Sequence, residues 1–342
     1  MTLPSQDRAH GAVLALDVGG TKLAAGVVRA DGEVLSFVTC PTEAAAGPEA
    51  SLARLLDLGK HALDRAGVDP GDAPARMLGC GIGCGGPLDP ARGVVLCPPH
   101  LPGWVDVPIT RLAEGTFGLP AVLDNDGTAG AAGEWRFGAG RGTRHLAYLT
   151  VSTGIGGGFV VDGQTYRGAA GNGGEPGHIT VRHDGRPCRG CGRPGCLEAY
   201  ASGTSLGELA REAVTRGEPT SLPADATAAD VAREARAGDP LAVRLWDETT
   251  ALLGQGVTSI VNLYEPEVVV LGGGVTRAGE QLLAPVRHTV ARMAMGPAAR
   301  AVRVVRAANG DRTGVLGAAA IAFERLTGAR DRPPGRHAGA QD

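Results

Sequence analysis

Large rings are scarce in this sequence: aromatic residues make up 4% of 342, so the core must be packed from Ala, Val, Leu and Ile. Long apolar runs are missing as well. "HLAYLTV" and "VVVLGGGV" fall far short of the roughly 20 residues that a membrane helix needs, and "MTLPSQDRAHG" has no apolar stretch of the kind that marks a secretory leader. A cytoplasmic protein with no membrane partner is the expectation. A basic field is lacking too, since the net charge is −3 and no Lys/Arg cluster stands among aromatics, which argues against a nucleic-acid partner. The seven cysteines have no regular framework of spacings, and Cys40, Cys80, Cys84 and Cys97 read as ordinary thiols in apolar or loop settings.

Glycine is abundant instead, with 55 residues, and together with 23 prolines it punctuates periodic segments without forming a low-complexity tract. At about 150 residues per domain, the length suits two domains. "AVLALDVG", "KLAAGVVRAD" and "GEVLSFVTC" read as three successive strands on tight glycine turns. A helix follows, with Leu52, Leu55, Leu56 and Leu63 on one face and Gly67 as its stop. "MLGCGIG" and "PAVLDND" are short buried strands. The same grammar restarts with the strand pair "HLAYLTVSTG" and "GGFVVDGQTYRG" and continues in "EVVVLGGGV", so two similar α/β halves are expected. The stretch from Ser205 to Tyr264 reads as helical and ends at Pro266. The residues before Ala12 and those from 329 to 342 read as frayed tails.

Three glycine loops leave apolar strands: "DVGGTK" (17–22), "STGIGGG" (152–158) and "LGGGV" (271–275). Without a Cβ, backbone N–H groups can approach an anion closely. None of the three fits G-x-x-x-x-G-K-[ST], and "DVGGTK" runs into a strand, not a helix, which disfavours a dinucleotide oxidoreductase. A nucleotide clamped by strand-turn-strand loops from both halves is the expected alternative.

"PCRGCGRPGCLEAY" sets Cys188, Cys191 and Cys196 within nine positions. A redox Cys-x-x-Cys would be expected to open a helix, and a disulfide would leave one thiol over. Three thiolates and an imidazole make a closed tetrahedral zinc site. His178, ten residues upstream, and His183, five upstream, both satisfy the spacing.

Taken together, these segments resemble the ROK family of sugar kinases and sugar-responsive repressors, within the actin and hexokinase superfamily. The likeness runs from Leu14 to about Leu326. "LDVGGTKLAAGVV" and "STGIGGGFVVDG" resemble the two phosphate motifs, "EPEVVVLGGGV" the adenosine-side motif and "LDNDGTAGAAGEW" the catalytic stretch, while "GEPGHITV" and "CRGCGRPGCLE" resemble the sugar and metal motifs. The resemblance implies a two-domain α/β fold of the actin-like/hexokinase (ribonuclease H-like) type, with an inter-domain cleft and a zinc-stapled loop. The expected domains are a smaller one from 12–122 plus about 317–328, and a larger one from 123–316 that carries the zinc loop and a helical insert.

By the same resemblance, Asp126 is the base that takes a proton from the sugar hydroxyl as ATP's phosphoryl group arrives. Asp124 is its near rival, and an Asx turn or helix cap is the purely structural reading of "DNDG". Asn125, Glu175, His178 and Glu198 are the expected sugar ligands. Asp17, Gly19, Gly20, Thr21, Lys22, Thr153, Gly154, Gly272 and Gly273 are expected around the nucleotide, with Mg²⁺ near Asp17. The family pattern favours His178 over His183 as the fourth zinc ligand beside Cys188, Cys191 and Cys196. Three departures stand out: two residues, Arg189 and Gly190, separate the first cysteines where the family has one; Cys84-Gly85-Gly86 replaces an apolar-Pro-Gly arrangement; and His100 stands where Asn is usual. ATP-dependent phosphorylation of a hexose at its 6-hydroxyl, with glucose as first candidate acceptor, is the expectation, in a homodimer or homotetramer. N-acetylhexosamine, mannose and fructose are the alternative acceptors. A sugar-responsive regulator is disfavoured, because such proteins carry a basic winged-helix segment ahead of the motif that here begins at Leu16.

Overall fold

The computed structural model describes residues 11–69, 71–169 and 171–328. The expected tails lie outside the described residues, Gly11 excepted. The described residues form two compact units: those within 11–143, 163–173 and 308–328 make the first, and residues 144–162 and 174–307 the second.

In the first unit, β1 (Ala12–Val18), β2 (Lys22–Val28) and β3 (Val34–Pro41) form an antiparallel meander. Alternate residues of β1 point to opposite faces, and both faces are covered, so the strand reads as one apolar run. Leu14, Leu16 and Val18 pack with Leu55, Leu58 and Leu63 of helix α1 (Pro48–Arg65). Val13 and Ala15 pack with Val315, Ala318 and Ala319 of the helix Thr313–Thr327. Strand β4 (Met77–Cys84) runs parallel to β1 and leads into a small hairpin, β5 (Leu88–Asp89) with β6 (Val94–Val95). Helix α2 (Ile109–Phe117) then brings in β7 (Ala121–Asn125), parallel to β4, which completes the order β3-β2-β1-β4-β7.

Residues 123–143 were expected with the larger domain and fold with this unit. The reason is continuity of pairing and packing: β7 extends the sheet at β4, and α3 (Asp126–Phe137) lies directly on the helix Thr313–Thr327. The two helices meet backbone to backbone. A Cβ on Gly317 would sit 2.6 Å from the carbonyl carbon of Ala129, and one on Gly133 2.9 Å from the Cα of Gly317.

The second unit repeats the plan. Strands β8 (Leu146–Val151) and β9 (Ile155–Val161) form an antiparallel hairpin; the next strand, β10 (Gln164–Tyr166), is counted with the first unit. Helices α4 (Gly203–Thr215), α5 (Ala228–Ala237) and α6 (Pro240–Tyr264) precede β11 (Val268–Gly272), which is parallel to β8. Helix α7 (Glu280–Met293) then leads to β12 (Arg303–Arg306), parallel to β11. The run β9-β8-β11-β12 matches β2-β1-β4-β7 in order and direction. The helical stretch expected from Ser205 to Tyr264 is interrupted after Thr215, where Gly217 adopts a φ of 77° and Pro219 and Pro223 follow; a Thr227–Asp230 capping box restarts it. The short strand β12, charged at both ends, has no apolar pattern to announce it. No helix among the described residues is long and apolar enough to cross a membrane.

Candidate active site and metal centre

In the first unit, register places the acids. Asp17 pairs with Gly83 and Val18 with Cys84, while Asp124 and Asn125 pair with the same two residues from the other side. Asp17 and Asn125 therefore stand at the carboxyl edge of the two strands that flank β4 in parallel, where α/β sheets bind ligands. Asn125 ends β7 and caps α3: its Oδ1 accepts from the backbone N–H of Gly127 at 2.8 Å and of Thr128 at 3.3 Å. That leaves the Nδ2 group of Asn125 as a donor. Asp126, expected at the strand end, is the first residue of the helix, and its Oδ1 also accepts from the Gly127 N–H at 2.8 Å.

Burial and then the neighbouring Asp126 carboxylate push the Asp17 pKa up to about 7, with Lys22 pulling the other way. Asp126 keeps solvent access but is raised too, by surrounding protein that desolvates it, against the Gly127 N–H and His100. The turn beside them is rigid: Gly19 N–H donates to Lys22 O at 3.1 Å, and the Thr42 hydroxyl and N–H donate to Gly19 O and Thr21 O at 2.6 and 3.0 Å. The Thr21 and Lys22 side chains project from it exposed.

Asp124 has another role. Its side chain is 1% exposed, and Oδ2 accepts from Arg167 Nε at 2.8 Å; Nη2 of the same arginine lies 2.7 Å from that oxygen, held by charge more than by an aligned N–H. Burial raises the Asp124 pKa and Arg167 pulls it back. Arg167 also meets Glu324 at 3.3 Å. Such a carboxylate is spent on the scaffold. Removing its partner by Arg167→Ala should lower the free energy of unfolding by about 3–5 kcal/mol, as stranding one half of a buried ion pair does; urea denaturation measures this, with partial recovery expected in the double variant that adds Asp124→Asn.

In the second unit, His178 closes the short turn Pro176–His178, and its N–H donates to Glu175 O at 3.1 Å. The Glu175 side chain is exposed. His178, Cys188, Cys191 and Cys196 each offer one ligand atom, and all four atoms lie within 4.8 Å of one another. Zinc bound at about 2.3 Å to sulfur spaces its tetrahedral ligands by about 3.8 Å. Cys191 and Cys196 Sγ are 3.5 Å apart, and His178 Nδ1 is 3.7 Å from Cys188 Sγ. The donor set and its dimensions fit zinc, which would supply structural cross-linking here and would turn thiols into thiolates; without a cation, burial pushes Cys188 up to about 12. His183 is excluded as the fourth ligand, since its side chain is 94% exposed and faces Asp184. The extra residue between the first cysteines is accommodated at Gly190, where a Cβ would lie 2.8 Å from Glu198 Oε1 and 3.3 Å from His178 Cε1.

Glu198 joins this loop to the second glycine turn. Its Oε2 accepts from the Ile155 N–H at 2.9 Å, and Cys188 Sγ donates to its Oε1 at 3.3 Å. The turn Ser152–Gly154 is itself tied down by Ser152 N–H to Gly154 O at 2.9 Å and Gly203 N–H to Ser152 O at 2.6 Å. Beside it opens a cavity of about 620 Å³, lined by Thr153, Gly203, Arg211, Arg236, Trp246 and Gly274 among others. Thr153 thus reaches the cavity, while Gly272 and Gly273 are not among its lining residues: a Cβ on Gly272 would strike the Tyr148 hydroxyl, and Gly273 holds a φ of 86° against Val151 O. Gly203, Arg211, Arg236 and Trp246 were not singled out from sequence. Only the Ser202 cap that opens α4, accepting the Ser205 N–H at 3.1 Å, could have pointed to Gly203.

Two α/β units of matching strand order, a glycine turn after the first strand of each, and an acid pair at a parallel-strand edge define a protein of the actin and hexokinase type. The ROK family model matches residues 13–325, and the chain belongs to the ROK family. It is 36% identical over 322 residues to the glucokinase of Thermotoga maritima, covering 92% of this chain and 98% of that one. The ROK hexokinase of Thermus thermophilus superposes with a TM-score of 0.78 at 39% identity, over 92% of this chain and 99% of the other. A ROK glucokinase from Streptomyces griseus, solved with glucose and AMPPNP, gives a TM-score of 0.74 at 34% identity, over 91% and 99%.

Proposed function

We propose that this protein phosphorylates a hexose from ATP, with glucose as acceptor and its 6-hydroxyl as the site of transfer. The observation that carries this is Asp126: a solvent-accessible carboxylate with a raised pKa, fixed at the start of α3 near Asp17 and the Gly19–Thr21 turn. A base with a raised pKa is matched to a hydroxyl that becomes acidic only as its bond to phosphorus forms. The glucokinase and hexokinase relatives supply the substrate class.

In this reading Asp126 accepts the proton of the 6-hydroxyl and Asn125, whose Oδ1 is committed to the helix cap, donates from Nδ2 to a sugar oxygen. On the second unit Glu175, His178 and Glu198 take further sugar hydroxyls. His178 uses the nitrogen turned away from the sulfurs; a zinc ion held by His178, Cys188, Cys191 and Cys196 would fix the tautomer of that ring. The turns at Gly20 and Gly154 offer backbone N–H groups to the phosphates, with the Gly19 N–H holding the first turn closed on Lys22 O and with Thr21, Lys22 and Thr153 beside them; the 620 Å³ cavity lined by Gly274, which follows Gly272 and Gly273 in the chain, takes the adenosine. One carboxylate, Asp17, suits Mg²⁺, which is commonly held by one or two carboxylates together with substrate phosphates.

A coupled ATP assay over glucose, mannose, fructose and N-acetylhexosamines tests the proposal. Turnover with glucose should exceed that with the others. Sugar binding without ADP release would make the protein a binder or regulator instead.

A further inference from the structure

His100 lies in the first unit, in the loop after the β5–β6 hairpin, and two glycines make room for it. A Cβ on Gly85, at the end of β4, would come 2.3 Å from His100 Cε1 and 2.8 Å from Nε2; a Cβ on Gly20, in the phosphate turn, would come 3.0 Å from His100 Cβ and 3.4 Å from Cδ2. The imidazole is therefore wedged between two backbone walls that tolerate no side chain. Two of the three departures from the family pattern meet here, since the glycine at 85 accommodates the ring at 100. The ring is half-buried, interacts electrostatically with Asp126, and neither nitrogen has a hydrogen-bond partner among the described residues. A half-buried imidazole with both nitrogens unengaged, close to the reacting carboxylate, is placed to meet a ligand.

We propose that His100 is a specificity-determining residue of the acceptor site, hydrogen-bonding a sugar hydroxyl next to the one that Asp126 deprotonates. This rests on the hexose-kinase reading. The chemistry of the ring selects a hydroxyl over a phosphoryl oxygen as its partner. Burial lowers the His100 pKa and Asp126 opposes this without overcoming it, so the neutral ring prevails, with one donor and one acceptor nitrogen. A hydroxyl also donates and accepts, whereas a phosphate only accepts and would be better served by a cation.

The test pairs His100→Ala with a set of monodeoxy glucoses. Wild-type enzyme should lose about ten-fold in kcat/KM on the sugar that lacks the contacted hydroxyl, the scale of one neutral hydrogen bond made in a desolvated site. In His100→Ala that one penalty should vanish, with the other deoxy penalties and the KM for ATP unchanged, and His100→Gln, which keeps a donor and an acceptor, should restore part of it. If every deoxy penalty persists in His100→Ala, the proposal is overturned, whether kcat falls, as for a phosphoryl contact, or not. Should the alanine variant fail to fold, His100→Leu, which fills space without a donor or an acceptor, carries the same comparison. A wild-type protein that phosphorylates no hexose would instead defeat the reading of function itself.

Discussion

Replacing Asp126 with Asn lowers kcat by about 10²–10⁴-fold, the usual contribution of a positioned general base, while glucose binding measured by calorimetry stays near the wild-type value. Asparagine is the informative choice. Asp126 Oδ1 accepts the Gly127 N–H, and an amide oxygen of the same shape can keep that bond, so the start of α3 should persist while the proton acceptor is lost. Both variants remove a negative charge from the first turn of a helix, worth roughly 0.3–1 kcal/mol of stability; alanine should give a similar kinetic loss and, in addition, lose the side-chain acceptor of the Gly127 N–H. Near-normal turnover in the asparagine variant would remove Asp126 from the chemistry. Asp124→Asn is the necessary contrast, because it should act on stability through Arg167.

Stripping the metal is the other large effect expected. Metal analysis should find one zinc per chain, and a chelator strong enough to remove it should abolish activity and expose the segment from His178 to Glu198 to proteolysis. Structural zinc sites in peptides carry about 10–16 kcal/mol of apparent binding free energy, enough to fold a loop that cannot fold alone. The loop here has little regular structure: outside the sulfurs it is held by two isolated bridges, Thr180 to Cys196 and Pro187 to Pro194, by backbone bonds such as Cys188 N–H to Arg193 O at 2.9 Å, and by largely solvent-accessible ion pairs such as Arg182 to Glu248 and Arg186 to Glu212. Its collapse would release both His178 and Glu198, and with Glu198 the acceptor of the Ile155 N–H beside the second glycine turn. Fully active protein with well under one zinc per chain would refute this role.

Strands were readable because apolar runs such as Leu14–Val18 and Val268–Leu271 end at glycines, a local signal. The cluster of candidate metal ligands was readable for the same reason, since three of its four members lie within nine residues; only the choice between His178 and His183 needed the fold, which brings His178 to the sulfurs and leaves His183 at the surface. Contacts between distant segments left no such trace. Arg167 and Asp124 are separated by 43 positions, and nothing local to either marks the other as its partner. Arg211, Arg236 and Trp246 come from three helices whose sequence pattern reports only which face is buried. The competing structural reading of "DNDG" proved correct for Asn125, which caps α3 through Oδ1, and capping leaves its amide nitrogen as a donor, so the cap does not conflict with the proposed sugar contact.

The touching of Gly133 and Gly317 leaves no slack between the last described helix and α3, about two turns on from Asp126. With no side chain between the two backbones, any shift of the last described helix is passed on undamped to the segment that begins at Asp126. Remodelling of the helix Thr313–Thr327 would therefore be felt first in the placement of Asp126, and, if that carboxylate is the base proposed above, as lost turnover before any sign of unfolding.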